Sequence, residues 1–260
     1  MDITIIQQDI ILSDPVANRK KLETMFDGLK TDLVVLPEMF STGFCTVDHH
    51  GMIIFDDGET PAWMQRMASL HQFAIAGSLA WKVTETEHYN RFFFVNPDGT
   101  MQCYDKRHLF TYGHEGTYFS AGAERVIVRF KDFRFLLQIC YDVRFPVFSR
   151  NRSDYDAILY VASFPALRIE AWRTLVRARA IENQCYVIAV NRVGSDQVTN
   201  YNGHSAIIDA YGRAMVECGD EECVVSFDID LQKLKVFRKR FPVGNDADKF
   251  EVLNNVNPLD

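Results

Sequence analysis

The chain has 260 residues, 47% of them hydrophobic, and a net charge of −7; it can bury a sizeable core, and no linker, low-complexity stretch or internal repeat divides it, so a single domain over residues 1–260 is expected. An acidic balance without a lysine and arginine cluster argues against nucleic acid as a partner. The amino terminus begins a strand at once, with neither a positive n-region nor a long apolar h-region, and no run of about 18 apolar residues occurs, which excludes a membrane span and points to a cytoplasmic protein.

In chain order, the first strand is expected over residues 3–7. A helix then opens at Asp14-Pro15, a capping residue followed by proline, and carries Leu22, Met25, Phe26 and Leu29 on one face. Residues 33–36 are wholly apolar, as in a central strand buried on both faces, and lead into Pro37-Glu38. A second helix opens similarly at Thr60-Pro61 and turns Met64, Met67 and Ala68 inward. Strands follow at 73–79, 91–96, 126–130, 135–139 and 157–162. A third helix over 169–184 turns Ile169, Trp172, Val176 and Ala180 inward, and the last strands fall at 187–191, 205–209 and 224–228. The helical stripes are core, not cofactor boxes. Some ten strands with helices between them fit two sheets packed face to face or one doubly wound sheet, and periodicity does not choose.

Three segments carry chemistry. The run Arg134 to Ile139 ends at Cys140 and turns sharply, exposing a thiol at a strand end with the backbone N–H of Tyr141 free to face an oxyanion; a lone cysteine of this kind is equally an inert core residue. Glu38 closes an apolar strand at the end where such sheets gather chemistry, or else caps a helix. Lys106 follows the strand pattern at 91–96 and the turn Pro97-Asp98-Gly99, where a solvated lysine is the plain alternative. Taken together, a thiol nucleophile, a carboxylate base and a fixed cation are what acyl transfer from an amide requires.

The segments Leu36-Pro37-Glu38-Met39-Phe40, Tyr104-Asp105-Lys106-Arg107-His108-Leu109-Phe110 and Cys140-Tyr141-Asp142-Val143-Arg144-Phe145-Pro146 resemble, in order and separation, the Glu-Lys-Cys triad of the nitrilase superfamily of carbon-nitrogen hydrolases. The likeness continues through residues 177–183, 186–191 and 203–209, and within the superfamily it is greatest to the omega-amidases, which hydrolyse 2-oxoglutaramate and related amides. It implies an α/β four-layer α-β-β-α sandwich. It also implies a second glutamate between lysine and cysteine, which Glu115 supplies, holding the Lys106 ammonium in register. A homodimer paired through helices on an outer face is expected, and the tail at 254–260 is either a frayed end or an arm crossing to the partner.

On this resemblance Glu38 deprotonates Cys140, whose thiolate Lys106 favours, and Lys106 with the Tyr141 N–H holds the oxyanion. An omega-amidase must also grip a distal carboxylate. Arg144 is the first candidate, although it equally suits a bracing pair with Asp142; Arg168 and Arg173 are reserves. Phe40 and Phe164 match positions that line the pocket in similar enzymes, while Val147 stands where the family motif often has glutamate. Six cysteines without a C-x-x-C pair argue against disulfides or structural zinc, five of them being ordinary packing. Seven histidines, including His49-His50 and a structural His108, show no metal-binding spacing, so neither metal nor cofactor is implied. The same triad would serve a nitrilase or an N-carbamoyl amino acid hydrolase. A non-catalytic interaction protein on the same fold would gain little from four buried polar residues.

Overall fold

The computed structural model describes residues 1–45, 47 and 52–252, so His49, His50 and the tail at 254–260 lie outside the described residues. In chain order the elements are β1 (Asp2–Gln7), α1 (Pro15–Phe26), β2 (Leu33–Val35), α2 (Thr60–His71), β3 (Ala74–Lys82), β4 (His88–Val95) and β5 (Met101–Asp105). The second half holds β6 (Ile127–Phe130), β7 (Phe133–Ile139), α3 (Pro146–Ser149), β8 (Ala157–Ala162), α4 (Ile169–Asn183), β9 (Tyr186–Asn191), β10 (Val193–Ser195), β11 (Asn200–Asn202), β12 (Ala206–Ile208), β13 (Ala214–Glu217), β14 (Cys223–Asp228) and α5 (Leu231–Arg240).

Two six-stranded mixed sheets form, ordered β14-β1-β2-β3-β4-β5 and β13-β12-β9-β8-β7-β6, with β10 and β11 a separate hairpin. In each sheet three central strands run parallel, β1-β2-β3 in one and β7-β8-β9 in the other, and the outer strands pair antiparallel. Helices cover the outer faces, giving a four-layer α-β-β-α sandwich. Side-chain alternation explains the wholly apolar strands: Leu33 and Val35 enter the core between the sheets, while Val34 faces the layer of Phe26, Trp63 and Met64 from α1 and α2. On the far side Trp172, Val176 and Ala180 of α4 join the core. Among the described residues no helix is long and apolar enough to cross a membrane.

The Asp14 carboxylate caps α1 by accepting from the Ala17 amide at 2.9 Å. At α2 the expected cap differs: the cap residue is Glu59, without a side-chain bond, and the Thr60 hydroxyl instead donates to Asp56 at 2.6 Å. β5, β10, β11, β13, α3 and α5 lie beyond the ten expected strands and three helices. Their sequences show why. β5 is an edge strand with three exposed residues, and α5 buries only Leu231 and Leu234 among lysines and arginines.

Candidate active site

Strand ends from both sheets converge on one buried polar cluster. Glu38 follows β2, Lys106 follows β5, Cys140 follows β7, and Ser163 follows β8. Met39 and Cys140 have φ of +46° and +44°, a left-handed conformation that costs a non-glycine residue about 1–3 kcal/mol; each turns the chain off its strand beside the cluster. Ser13 and Asn18, at the start of α1, hold the loop after Glu38 by bonds to the Thr42 and Ser41 carbonyls. Lys106 is fixed by its own backbone, which donates to Asn90 O at 3.0 Å and accepts from Gly122 N at 2.9 Å. Only glycine fits at 122, since an added Cβ would lie 2.2 Å from the Asp105 carbonyl oxygen.

Glu38, Lys106 and Glu115 are fully buried. The Lys106 ammonium donates to Glu38 Oε1 at 2.8 Å and to both oxygens of Glu115 at 2.9 Å. Asn90 Nδ2 donates to Glu38 Oε1 at 2.7 Å and to Glu115 Oε1 at 2.9 Å. Backbone amides complete the set, Ser163 N to Glu38 Oε2 at 2.8 Å and Phe110 N to Glu115 Oε2 at 2.7 Å. Glu38 and the Ser163 backbone both act on the Cys140 thiol, the carboxylate disfavouring the thiolate and the amide favouring it.

Two carboxylates therefore share one ammonium in a dry site. Burial alone would discharge Lys106, but Glu115 and Glu38 hold it well above its ordinary value, so it stays a cation. Burial raises Glu115, with Lys106 opposing. For Cys140, burial, reinforced by the Glu38 carboxylate, pushes the thiol well above its ordinary value; Lys106 favours the thiolate, as expected, but is outweighed. Cys45, expected to be ordinary packing, lines the same cavity, and burial pushes its thiol up as well.

The turn at Cys140 is braced by Asp142 and not through Arg144. The Asp142 carboxylate accepts from Ile139 N at 2.9 Å, Tyr104 Oη at 2.7 Å and His108 N at 3.1 Å, with His108 Nδ1 2.7 Å away, so it ties the Lys106 segment to the Cys140 turn. His108 is thereby a satisfied structural residue, stacked on Phe145 at 3.9 Å. Arg144 lies over the Phe164 ring at 5.6 Å and lines a cavity of about 760 Å³ that reaches Cys140 and Lys106.

Tyr141, Phe164 and Arg168 also line this cavity, Arg168 over Phe110 at 5.1 Å. Arg173 does not; it pairs with Glu217 at 3.0 Å and Glu170 at 3.3 Å. Phe40 is a second correction. Its amide bonds Ser78 O, and its ring packs into the outer core against Trp63 and bare Gly77, because the left-handed Met39 turns it away from the cavity. Phe44, four residues on, takes the lining position and lies 5.3 Å from the Lys106 ammonium.

Asn90, Ser163 and Asn191 went unnamed in the sequence reading. Asn191 accepts from Phe164 N at 2.7 Å and donates to Phe164 O at 3.0 Å, holding that segment against the cavity. Asn90 left a trace, an amide entering the apolar run 92–95, but it fell one residue outside the strand as first bounded. Ser163 meets the Glu38 carboxylate through its backbone N–H, which no side-chain pattern reports, while its hydroxyl donates to the Glu38 carbonyl at 3.3 Å.

The family model for carbon-nitrogen hydrolases matches residues 2–239. An omega-amidase YafV of Yersinia enterocolitica is 41% identical over 97% of this chain and 99% of its own. A 2-oxoglutaramate amidase of Bacillus subtilis is 35% identical over 95% of this chain and 97% of its own. Among solved structures, XC1258 of Xanthomonas campestris, described as a CN-hydrolase superfamily protein with an arsenic adduct in the active site, superposes with a TM-score of 0.90 at 41% identity, covering 97% of this chain and 98% of that one.

Proposed function

The chain belongs to the carbon-nitrogen hydrolase family, and on that premise we propose that it hydrolyses the terminal amide of a small 2-oxo dicarboxylic acid monoamide such as 2-oxoglutaramate to the acid and ammonia. The observation that supports this reading is the Cys140 thiol beside the Glu38-Lys106-Glu115 cluster, in a cavity whose wall presents Arg144 and Arg168 without a carboxylate partner among the described residues. A wall of that kind suits an amide with an anionic far end, the substrate type in the names of the omega-amidase and 2-oxoglutaramate amidase relatives.

Glu38 takes the Cys140 proton as the sulfur attacks the amide carbon. Because burial and Glu38 disfavour a free thiolate, transfer and attack go together. The carbonyl oxygen becomes an oxyanion facing Lys106 Nζ and the backbone N–H of Tyr141, and removing one such donor typically costs about 100- to 1000-fold in rate. The carbon–nitrogen bond then breaks, Glu38 returns the proton to nitrogen, and ammonia leaves a thioester on Cys140. Water attacks the thioester with Glu38 again as base, the carboxylic acid departs, and the thiol regains its proton. Glu115 keeps the Lys106 ammonium in register through both halves. Arg144 grips the distal carboxylate, with Phe164 beneath it.

The reading extends to a homodimer and a cytoplasmic location. Exposed Ile181, Tyr211, Val236 and Phe241 support pairing on the outer face of α4 and α5, where Tyr211 meets Phe237 at 4.2 Å; light scattering tests the dimer.

The deciding experiment is ammonia release from 2-oxoglutaramate by wild type and Cys140→Ala, with a nitrile and an N-carbamoyl amino acid in parallel. Activity on the oxo-amide that vanishes in the variant is expected. Release only from another substrate would move the specificity, and activity surviving in Cys140→Ala would remove the nucleophile.

A further inference from the structure

We propose that Asn90 is a positioning residue of this reaction: by giving one amide hydrogen to each of Glu38 and Glu115, it fixes the Glu38 carboxylate so that Oε2, not Oε1, receives the thiol proton. The proposal rests on the reading of Glu38 as base. Asn90 is fully buried on β4 and is held by backbone as well as side chain, since its carbonyl accepts from Lys106 N.

Among the described residues, Glu38 Oε1 takes two donors, Lys106 Nζ at 2.8 Å and Asn90 Nδ2 at 2.7 Å, whereas Oε2 takes only Ser163 N at 2.8 Å. Ser163 follows β8 and Cys140 follows the neighbouring β7, whose Ile139 pairs with Val161, so Oε2 is held at the strand ends that carry the thiol. Lone pairs on Oε1 are occupied, and Oε2 keeps one for the proton.

The amide side chain suits the position because it adds donors without adding charge. A lysine there would neutralise the base, and an aspartate would set a third carboxylate beside two. The orientation of the amide is decided by its neighbours. Turned over, Oδ1 would face two carboxylate oxygens; as placed, Oδ1 is buried without a partner among the described residues, a cost that a purely structural asparagine would have no reason to carry. The charged and titratable groups facing Glu38 are Lys106 after β5, Glu115 in the turn Glu115–Thr117, Cys140 after β7, Cys45 in the loop after Glu38, and Tyr201 of β11.

Loss of a hydrogen bond donated to a carboxylate disfavours its ionised form. In Asn90→Ser the acid side of the pH profile should therefore move up by about one pH unit, as expected for one charge-assisted bond. Two profiles read it in the full chain: kcat/KM for 2-oxoglutaramate, and the rate of Cys140 alkylation by iodoacetamide. In the same variant kcat should fall by about 10- to 100-fold, the range for a mispositioned general base, with KM nearly unchanged because Asn90 does not line the cavity.

Asn90→Asp keeps the side-chain volume and should shift the acid side upward further, so it decides the matter should Asn90→Ser fail to fold. A rate lowered equally at every pH, or a rise in KM in place of the fall in kcat, would reduce Asn90 to a structural residue. Wild-type protein inert toward 2-oxoglutaramate would remove the proposed substrate, while the alkylation profiles would still decide the role of Asn90.

Discussion

The two ends of β7 and β8 treat charge in opposite ways. At their carboxyl ends lie Cys140 and Ser163, where Glu38 and Glu115 share the single Lys106 ammonium out of reach of solvent. At their amino ends Asp156 lies between Arg134 and Arg238, each at 2.9 Å, and Asp154 pairs with Arg125 nearby, all with guanidinium groups that reach water. Burial acts on acids at both ends, and different forces win. For Asp156, burial is overcome by Arg134 and Arg238, which hold the carboxyl below its ordinary value; for Glu115, burial prevails over Lys106. A cluster balanced by cations at the water's edge stabilises the fold. One left short of cations in a dry site sets two carboxylates next to a thiol, an arrangement a structural cluster does not need.

The sharpest way to break this contrast is Lys106→Met. Activity should fall by at least about a thousandfold, because the oxyanion loses its cation. The two carboxylates left unpaired should also lower stability by about 3–5 kcal/mol. Ammonia release and thermal unfolding measure the two effects, and activity within tenfold of wild type would contradict the assignment of Lys106. Next in size, Arg144→Ala should raise KM for 2-oxoglutaramate by about 10- to 100-fold, the worth of one charge-assisted pair, with little change for a neutral amide of the same length. Equal losses on both amides would mean that Arg144 shapes the wall without binding the carboxylate.

At the other end, Asp156→Asn should leave kcat unchanged and lower Tm by about 4 °C, from about 1–2 kcal/mol in a chain of this size. The pH dependence of that loss has a definite sign. The folded pKa of Asp156 lies below its unfolded value, so its contribution is present above about pH 4 and disappears as pH falls through the folded value. Wild type and variant should therefore converge in acid unfolding, and a gap that persists at low pH would place the stabilisation elsewhere.

Legibility followed the physics of each part. Strands buried on both faces, such as β2 and β8, announce themselves because every residue must be apolar. Edge strands such as β5, whose pairing is made by backbone, carry no such mark. The turn at Cys140 could be read because a polar motif follows an apolar run, but the left-handed geometry at Met39 could not, and it is what sends Phe40 to the core and leaves the cavity wall to Phe44. The motif around Cys140 left Asp142 open as a partner of Arg144. The fold gives it instead to Tyr104, His108 and the Ile139 amide, freeing Arg144 for the cavity.

By itself the sequence determined the apolar strands and the helix start at Asp14 and singled out Glu38, Lys106 and Cys140, because periodicity and motifs are local properties of a chain; Glu115 was added by the family resemblance. Tertiary structure decided which oxygen meets which hydrogen, which arginine faces the cavity, and that burial disfavours the thiolate. Those outcomes depend on burial and on neighbours tens of residues away, as in the 52 residues between Asn90 and Glu38 or the 125 between Glu38 and Ser163, which only the closed sandwich brings within hydrogen-bond distance.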